Sequence, residues 1–119
     1  MFIHRNISDS RKWYGSIINI LQYVNMLKMK DKEYEKITKA ICNKNRKNII
    51  WLLKNAKNEM CVNHISDDLN MSQSLTSQQL KYLEARDIIY GHRVGKTTCY
   101  KLCKNDITKK VLQIIKILT

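Results

Sequence analysis

The sequence predicts a mainly α-helical domain with one β-hairpin near its C-terminal end, and three observations carry that prediction. Apolar residues recur at three- and four-residue spacings through most of the 119 residues, the mark of amphipathic helices. Proline is absent and glycine occurs only three times, so few breaks interrupt those helices and a many-turned β fold is disfavoured. After Arg86 the period shortens to that of strands, which flank a turn at Val94-Gly95-Lys96. The length suits one domain, and 44% hydrophobic residues suffice for a packed interior.

The elements follow in order. Residues 8–28 place Trp13, Ile17, Ile20, Leu21, Val24 and Leu27 on one helical face, with Ser8 or Ser10 as cap. They make residues 1–28 an expected N-terminal helical extension, ahead of a main domain over 29–119. Asp31 to Cys42 reads as a second, more charged helix with Tyr34, Ile37 and Ile41 on one side. Asn43-Lys44-Asn45 marks a junction. Ile49, Ile50, Leu52, Leu53 and Ala56 then predict a short buried helix ending near Asn58. Val62, Ile65 and Leu69 line a helix of about ten residues that should stop at Asn70, because asparagine tolerates the left-handed conformation. Ser72 is a good N-cap for the next helix, which turns Leu75, Leu80 and Leu83 inward. Ile88–Arg93 and Thr97–Leu102 are the predicted strands. Lys104–Thr119 closes the chain as a helix with Ile107, Val111, Ile114, Ile115 and Leu118 along one side.

Composition narrows the function. Lys and Arg number 22 against 10 Asp and Glu, a formal charge of +12 that fits a polyanion partner and fits a solvated basic surface equally well. Residues 61–86 are near neutral, with Lys81 and Arg86 against Asp67, Asp68 and Glu84. No apolar run reaches the roughly 20 residues of a membrane span, and no secretion leader is visible, so a cytoplasmic protein without a membrane partner is expected. A glycine-rich phosphate loop, a nucleophile elbow and a properly spaced zinc box are all missing, which argues against an enzyme.

Two short helices joined by a tight turn, the second polar outside, make a helix-turn-helix. Gln73, Ser74, Ser77, Gln78 and Lys81 face outward. Their amides and hydroxyls suit base edges, since adenine's N6 and N7 need a donor and an acceptor together. The near-neutral charge here is no objection, because bases are read by hydrogen bonds and phosphates are gripped elsewhere. A basic hairpin directly after such a pair is a wing, with Arg93 and Lys96 at its tip. The predicted fold class is therefore a winged helix-turn-helix.

Residues 36–118 resemble the ArsR/SmtB family of winged-helix repressors. The stretches that carry the likeness are KAICNKNRKNIIWLL, EMCVNHI, MSQSLTSQQL and IIYGHRVGKTTCYKL, followed by the last helix. The family's usual proline before Arg46 is absent, and Gln79 replaces a frequent histidine. The resemblance implies a homodimer built from first and last helices that binds double-stranded DNA at an inverted repeat. The DNA-binding residues it implies are Gln73, Ser74, Ser77, Gln78, Gln79 and Lys81 on the recognition helix, with Arg93 and Lys96 on the wing. Apolar faces on both terminal helices point to a dimer as well, since they exceed what so small a core would cover. A winged-helix protein-interaction module that no longer binds DNA is the alternative.

Family sensors bind metals or react through thiols. The arsenic-type box needs two thiolates two residues apart; here Cys61 is followed by Asn63, a poor soft-metal ligand. Cys61 and His64, three apart, are the remaining candidate ligands, with His4 a distant third. They do not complete a site, so no metal or other cofactor is expected. With nothing to indicate an oxidising compartment, the four cysteines are expected as reduced thiols. Cys61, Cys42, Cys99 and Cys103 are the candidate sensing thiols, Cys99 and Cys103 a candidate disulfide, and Cys42 a buried filler at the helix junction.

Overall fold

The computed structural model describes residues 31–118. The helix expected over 8–28, His4 and the extension boundary lie outside them. Helix α1 (Asp31–Ile41) is followed after two residues by α2 (Lys44–Asn55). Asn43 stands in extended backbone, and its side chain accepts the Arg46 N–H at 3.1 Å. What reads as a junction is thus an N-cap, and α2 begins five residues before Ile49 and ends three before Asn58.

The strand β1 (Met60–Cys61) comes next and was not anticipated; a two-residue strand has no period to show. Helix α3 (Val62–Asp68) is seven residues long, shorter than expected because Cys61 belongs to the strand and Leu69 already caps the other end. Helix α4 (Gln73–Ala85) starts under Ser72, whose hydroxyl accepts the Leu75 N–H at 3.1 Å. The hairpin strands are β2 (Ile89–Val94) and β3 (Thr97–Leu102), and α5 (Asp106–Leu118) completes the order. The sheet runs β1-β3-β2, antiparallel throughout, with Met60 opposite Tyr100 and Cys61 opposite Cys99 on one side of β3. On its other side Gly91 faces Tyr100, and His92 faces Cys99.

Both helices of the central pair end alike. After α3, Asn70 takes φ +53°, the Met71 N–H reaches the Ser66 carbonyl at 2.9 Å, and the Asn70 N–H reaches that of Asp67. After α4, Asp87 takes φ +60°, and the Ile88 N–H reaches the Leu83 carbonyl at 3.1 Å. These are Schellman ends, and the second packs buried Leu83 against buried Ile88. Asn70 behaves as its residue type predicts. Asp87 does the same work where glycine is usual. Asn105 then ties the next helix in: its amide nitrogen donates to the Asp87 carbonyl at 2.8 Å, and its Oδ1 accepts the Thr108 N–H at 2.8 Å.

The core joins Ile37 and Ala40 of α1, Ile49, Ile50 and Leu53 of α2, Ile65 of α3, and Leu80 and Leu83 of α4. Ile88, Ile89, Tyr100 and the α5 residues Val111, Ile114 and Ile115 close it. Thr76, not Leu75, takes the third buried position of α4. The α5 stripe is also not surplus. Fully burying an aliphatic side chain stabilises by about 1.5–3 kcal/mol, so Val111, Ile114 and Ile115 are committed to the subunit's own interior. Leu118, 45% exposed, is the member left facing out. A half-buried pair, Lys110 to Glu33 at 2.7 Å, pins α5 to α1.

Candidate nucleic-acid interface

Ser72 and the Asn70 turn aim the first turns of α4 outward from the core. Gln73, Ser74, Gln78 and Lys81 are exposed, while Ser77 and Gln79 are half-buried. Opposite them, Thr76, Leu80 and Leu83 fix the helix to the core. The exposed face therefore offers amides, hydroxyls and one cation. The Gln73 Nε2 donates to the Asn63 Oδ1, which locks the start of α4 to α3. Asn63, the residue that breaks the thiolate pair, thus holds the two helices of the motif in register.

The back of α4 is held by an aromatic–cation stack that the sequence reading did not single out. The Arg46 guanidinium lies 3.8 Å from the Tyr82 ring centre, and that of Arg86 lies 3.4 Å from it. Arg86 Nη1 also donates to the Tyr82 carbonyl at 3.1 Å. A tyrosine four residues before an arginine on one helix is the signal that would have suggested the second contact. The Arg46 contact fastens α2 to α4 and the Arg86 contact closes the last turn of α4 on itself, each stabilising by about 0.5–2 kcal/mol.

Beside α4 stands the hairpin. Gly95 opens its two-residue turn at φ +64°, the glycine-first pattern of a tight hairpin. Arg93, Val94, Gly95 and Lys96 are all exposed, and among the described residues neither Arg93 nor Lys96 is in an ion pair. The Gly91 N–H donates to Glu84 Oε2 at 3.1 Å, fastening β2 to α4. The polar helix face and the hairpin that carries the cationic tip are thus hydrogen-bonded to each other through β2.

The cysteines depart from expectation. Cys61 and Cys99 are joined by a disulfide across the β1–β3 register, so neither is a free thiol. Spacing in sequence gave no hint of it, because β1 itself was not legible. Cys99 does not pair with Cys103, which is free and half-buried. Burial, with Asp87 and Glu84 adding to it, pushes the Cys103 thiol up. Cys42 is exposed, not a buried filler: the α1–α2 connection is too short to fold it inward. His64 is exposed, and its candidate partner Cys61 has its sulfur in the disulfide, so the two do not form a ligand pair. Among the described residues no group of three metal-ligating side chains converges. No helix among them is long and apolar enough to cross a membrane.

A family model described as "Bacterial regulatory protein, arsR family" matches residues 43–90, from the cap of α2 into β2. The HTH-type transcriptional repressor SmtB of Mycobacterium tuberculosis is 31% identical over 67 residues, covering 56% of this chain and 50% of the repressor. The chain thus spans about half the length of the curated relatives it matches. Among solved structures, NolR from Sinorhizobium fredii is 26% identical with a TM-score of 0.60, over 72% of this chain and 84% of that one. HlyU from Vibrio cholerae aligns with a TM-score of 0.63 at 24% identity, over 75% of this chain and 97% of that one. The homodimeric winged helix-turn-helix DNA-binding domain Mb0332 from Mycobacterium bovis gives 0.63 at 22% identity, over 73% and 79%. These likenesses bear out the winged helix-turn-helix fold.

Proposed function

We propose that this chain, which carries an arsR-family winged helix-turn-helix domain, is a DNA-binding transcriptional regulator in the cytoplasm. It acts as a homodimeric repressor at an inverted repeat, not as an enzyme. One observation carries the reading: the exposed Gln73, Ser74, Gln78 and Lys81 of α4 stand on a helix hydrogen-bonded to the hairpin whose exposed tip is cationic. Amide and hydroxyl groups on a helix in the major groove discriminate base edges, while Arg93 and Lys96 neutralise phosphates. Ser77 and Gln79 line the margin of the same face. Tyr82, stacked by Arg46 and Arg86, keeps the helix from rolling as it enters the groove.

Dimerisation and repression rest on support of a different kind. The Mycobacterium bovis domain of the same fold is homodimeric, and the Mycobacterium tuberculosis relative is a repressor. In this chain, Leu118 and Tyr34 remain exposed on α5 and α1, the two helices that would meet a second subunit. A thiol-directed signal that releases the DNA completes the proposal.

The test is titration of the purified protein against labelled duplexes from the region upstream of its own coding sequence, at several salt concentrations. The expected result is a preferred duplex and a log affinity that falls linearly with log salt, as counterion release requires. Binding that is absent at low salt, with the protein folded, would favour the protein-interaction alternative that the near-neutral charge of 61–86 suggests.

A further inference from the structure

We infer that Cys61 and Cys99 form a reversible redox site that locks the wing to the helix-turn-helix, with Cys61 as the entering thiol and Cys99 as the resolving one. Its consequence for DNA rests on the proposed function above; the chemistry does not.

The placement carries the argument. Cys61 is the last residue of β1 and immediately precedes α3, while Cys99 sits mid-way along β3, the inner strand of the hairpin. The bond spans 38 positions of sequence, and the loop it closes contains α3, the turn, α4 and β2. That loop holds the whole candidate reading head together with the outgoing wing strand. Without the bond, β1 is tied to β3 by the pairing of only two residues. With it, the wing strand is covalently fixed to the entry of α3. The surrounding row is also set for a sulfur pair. His92 lies opposite Cys99 on the other side of β3, and its Nε2 is 2.7 Å from Glu59 Oε2, so a polar side-chain contact runs from the approach to β1 across to β2 and brackets the bond.

Accessibility assigns the roles. Cys99 is 1% exposed, whereas Cys61 is half-buried and so meets solvent first. A small-molecule disulfide such as oxidised glutathione supplies the oxidant. The Cys61 thiolate attacks one of its sulfurs, a new S–S bond forms, and the first small thiol leaves and takes up a proton. The Cys99 thiolate then attacks Cys61 Sγ in the mixed disulfide and expels the second small thiol. Two protein thiols lose two electrons and two protons, and one small disulfide becomes two small thiols. Cys103 competes poorly, since burial pushes its thiol up and lowers its thiolate fraction.

The experiment uses the full chain, reduced and then exposed to oxidised glutathione, with peptide mapping by mass spectrometry under non-reducing conditions. The wild type should yield the Cys61–Cys99 cross-linked peptide, reversed by dithiothreitol, with Cys42 and Cys103 outside it. Cys99→Ala should trap glutathione on Cys61, and Cys61→Ser should leave Cys99 unglutathionylated. Amide hydrogen exchange should slow in β1 and β3 on oxidation, and duplex affinity should rise about threefold or more. Cys42→Ser and Cys103→Ser should keep both responses. Failure to form the Cys61–Cys99 peptide in the wild type overturns the inference, whatever DNA does. Equal strand exchange in the two redox states also overturns it, as does tighter DNA binding by the reduced form. A reversible bond with the exchange change, in a protein that binds no duplex in either state, upholds the redox site and refutes the DNA reading alone.

Discussion

Replacing Gly91 by alanine tests how tightly the wing is built. Gly91 stands opposite Tyr100 in the β2–β3 register. A Cβ on Gly91 would lie 2.6 Å from Tyr100 Cε2, 3.0 Å from Cδ2 and 3.1 Å from Thr98 Cγ2. The ring cannot simply swing away, because Tyr100 is only 7% exposed and packs on the core. Opposing this, alanine in a strand loses less backbone entropy than glycine, a gain of about 0.5–1 kcal/mol. Inserting a methyl into a packed site costs about 1–3 kcal/mol. The clash is short enough to place the cost in the upper part of that range, so a net loss of about 1–2 kcal/mol is expected. Urea unfolding at unchanged m should show it as a lower midpoint. In a Tyr100→Leu background the ring edge is gone and only the Thr98 contact remains, so the same Gly91→Ala change should cost clearly less. A neutral Gly91→Ala in the parent, or an equal cost in both backgrounds, would refute the account of Gly91 as a space-limited position.

Three further outcomes follow from single features. Arg93→Ala should lower the slope of log affinity against log salt by about 1.8 in a dimer, one phosphate per subunit; an unchanged slope in a folded protein would remove Arg93 from the backbone contact. Asp87→Gly should raise the thermal midpoint by a few degrees, because Asp87 sits at φ +60° where glycine carries no Cβ penalty of about 1 kcal/mol. A lower midpoint by calorimetry would mean that the Asp87 side chain contributes more than its strain costs. Leu118→Asp should shift light-scattering mass toward one chain while leaving circular dichroism intact, since Leu118 is 45% exposed. Wild-type protein of single-chain mass at micromolar concentration would end the dimer reading.

The motif was legible where a residue type has a local conformational reason. Ser72 caps, Asn70 turns left-handed and Gly95 opens the hairpin, each by chemistry carried within a few residues. What escaped depends on distant partners. Asp87 takes the left-handed position because Leu83 and Ile88 close a buried Schellman end around it, a condition invisible in the dipeptide. The Cys61–Cys99 bond depends on β1, whose existence depends on β3. The α5 stripe reads as surplus only while its partners are uncounted; α1 and α2 absorb most of it. At the site, the outward residues of α4 followed from helical period alone. The Asn63–Gln73 bond and the Arg46–Tyr82 contact did not, because each joins separate helices; the Arg86–Tyr82 contact lies within α4 at a four-residue spacing.

On the proposed division of labour the exposed face of α4 reads bases while the wing grips phosphates, and Gln78→Ala separates the two. Affinities of parent and variant would be measured on a selected duplex and on a random duplex of equal length, at fixed salt. A bidentate amide contact with adenine is worth about 1–3 kcal/mol of discrimination. Gln78→Ala should lose about that much on the selected duplex, roughly a tenfold or greater weakening, while binding to the random duplex holds. Equal losses on the two duplexes, or none on either, would contradict it.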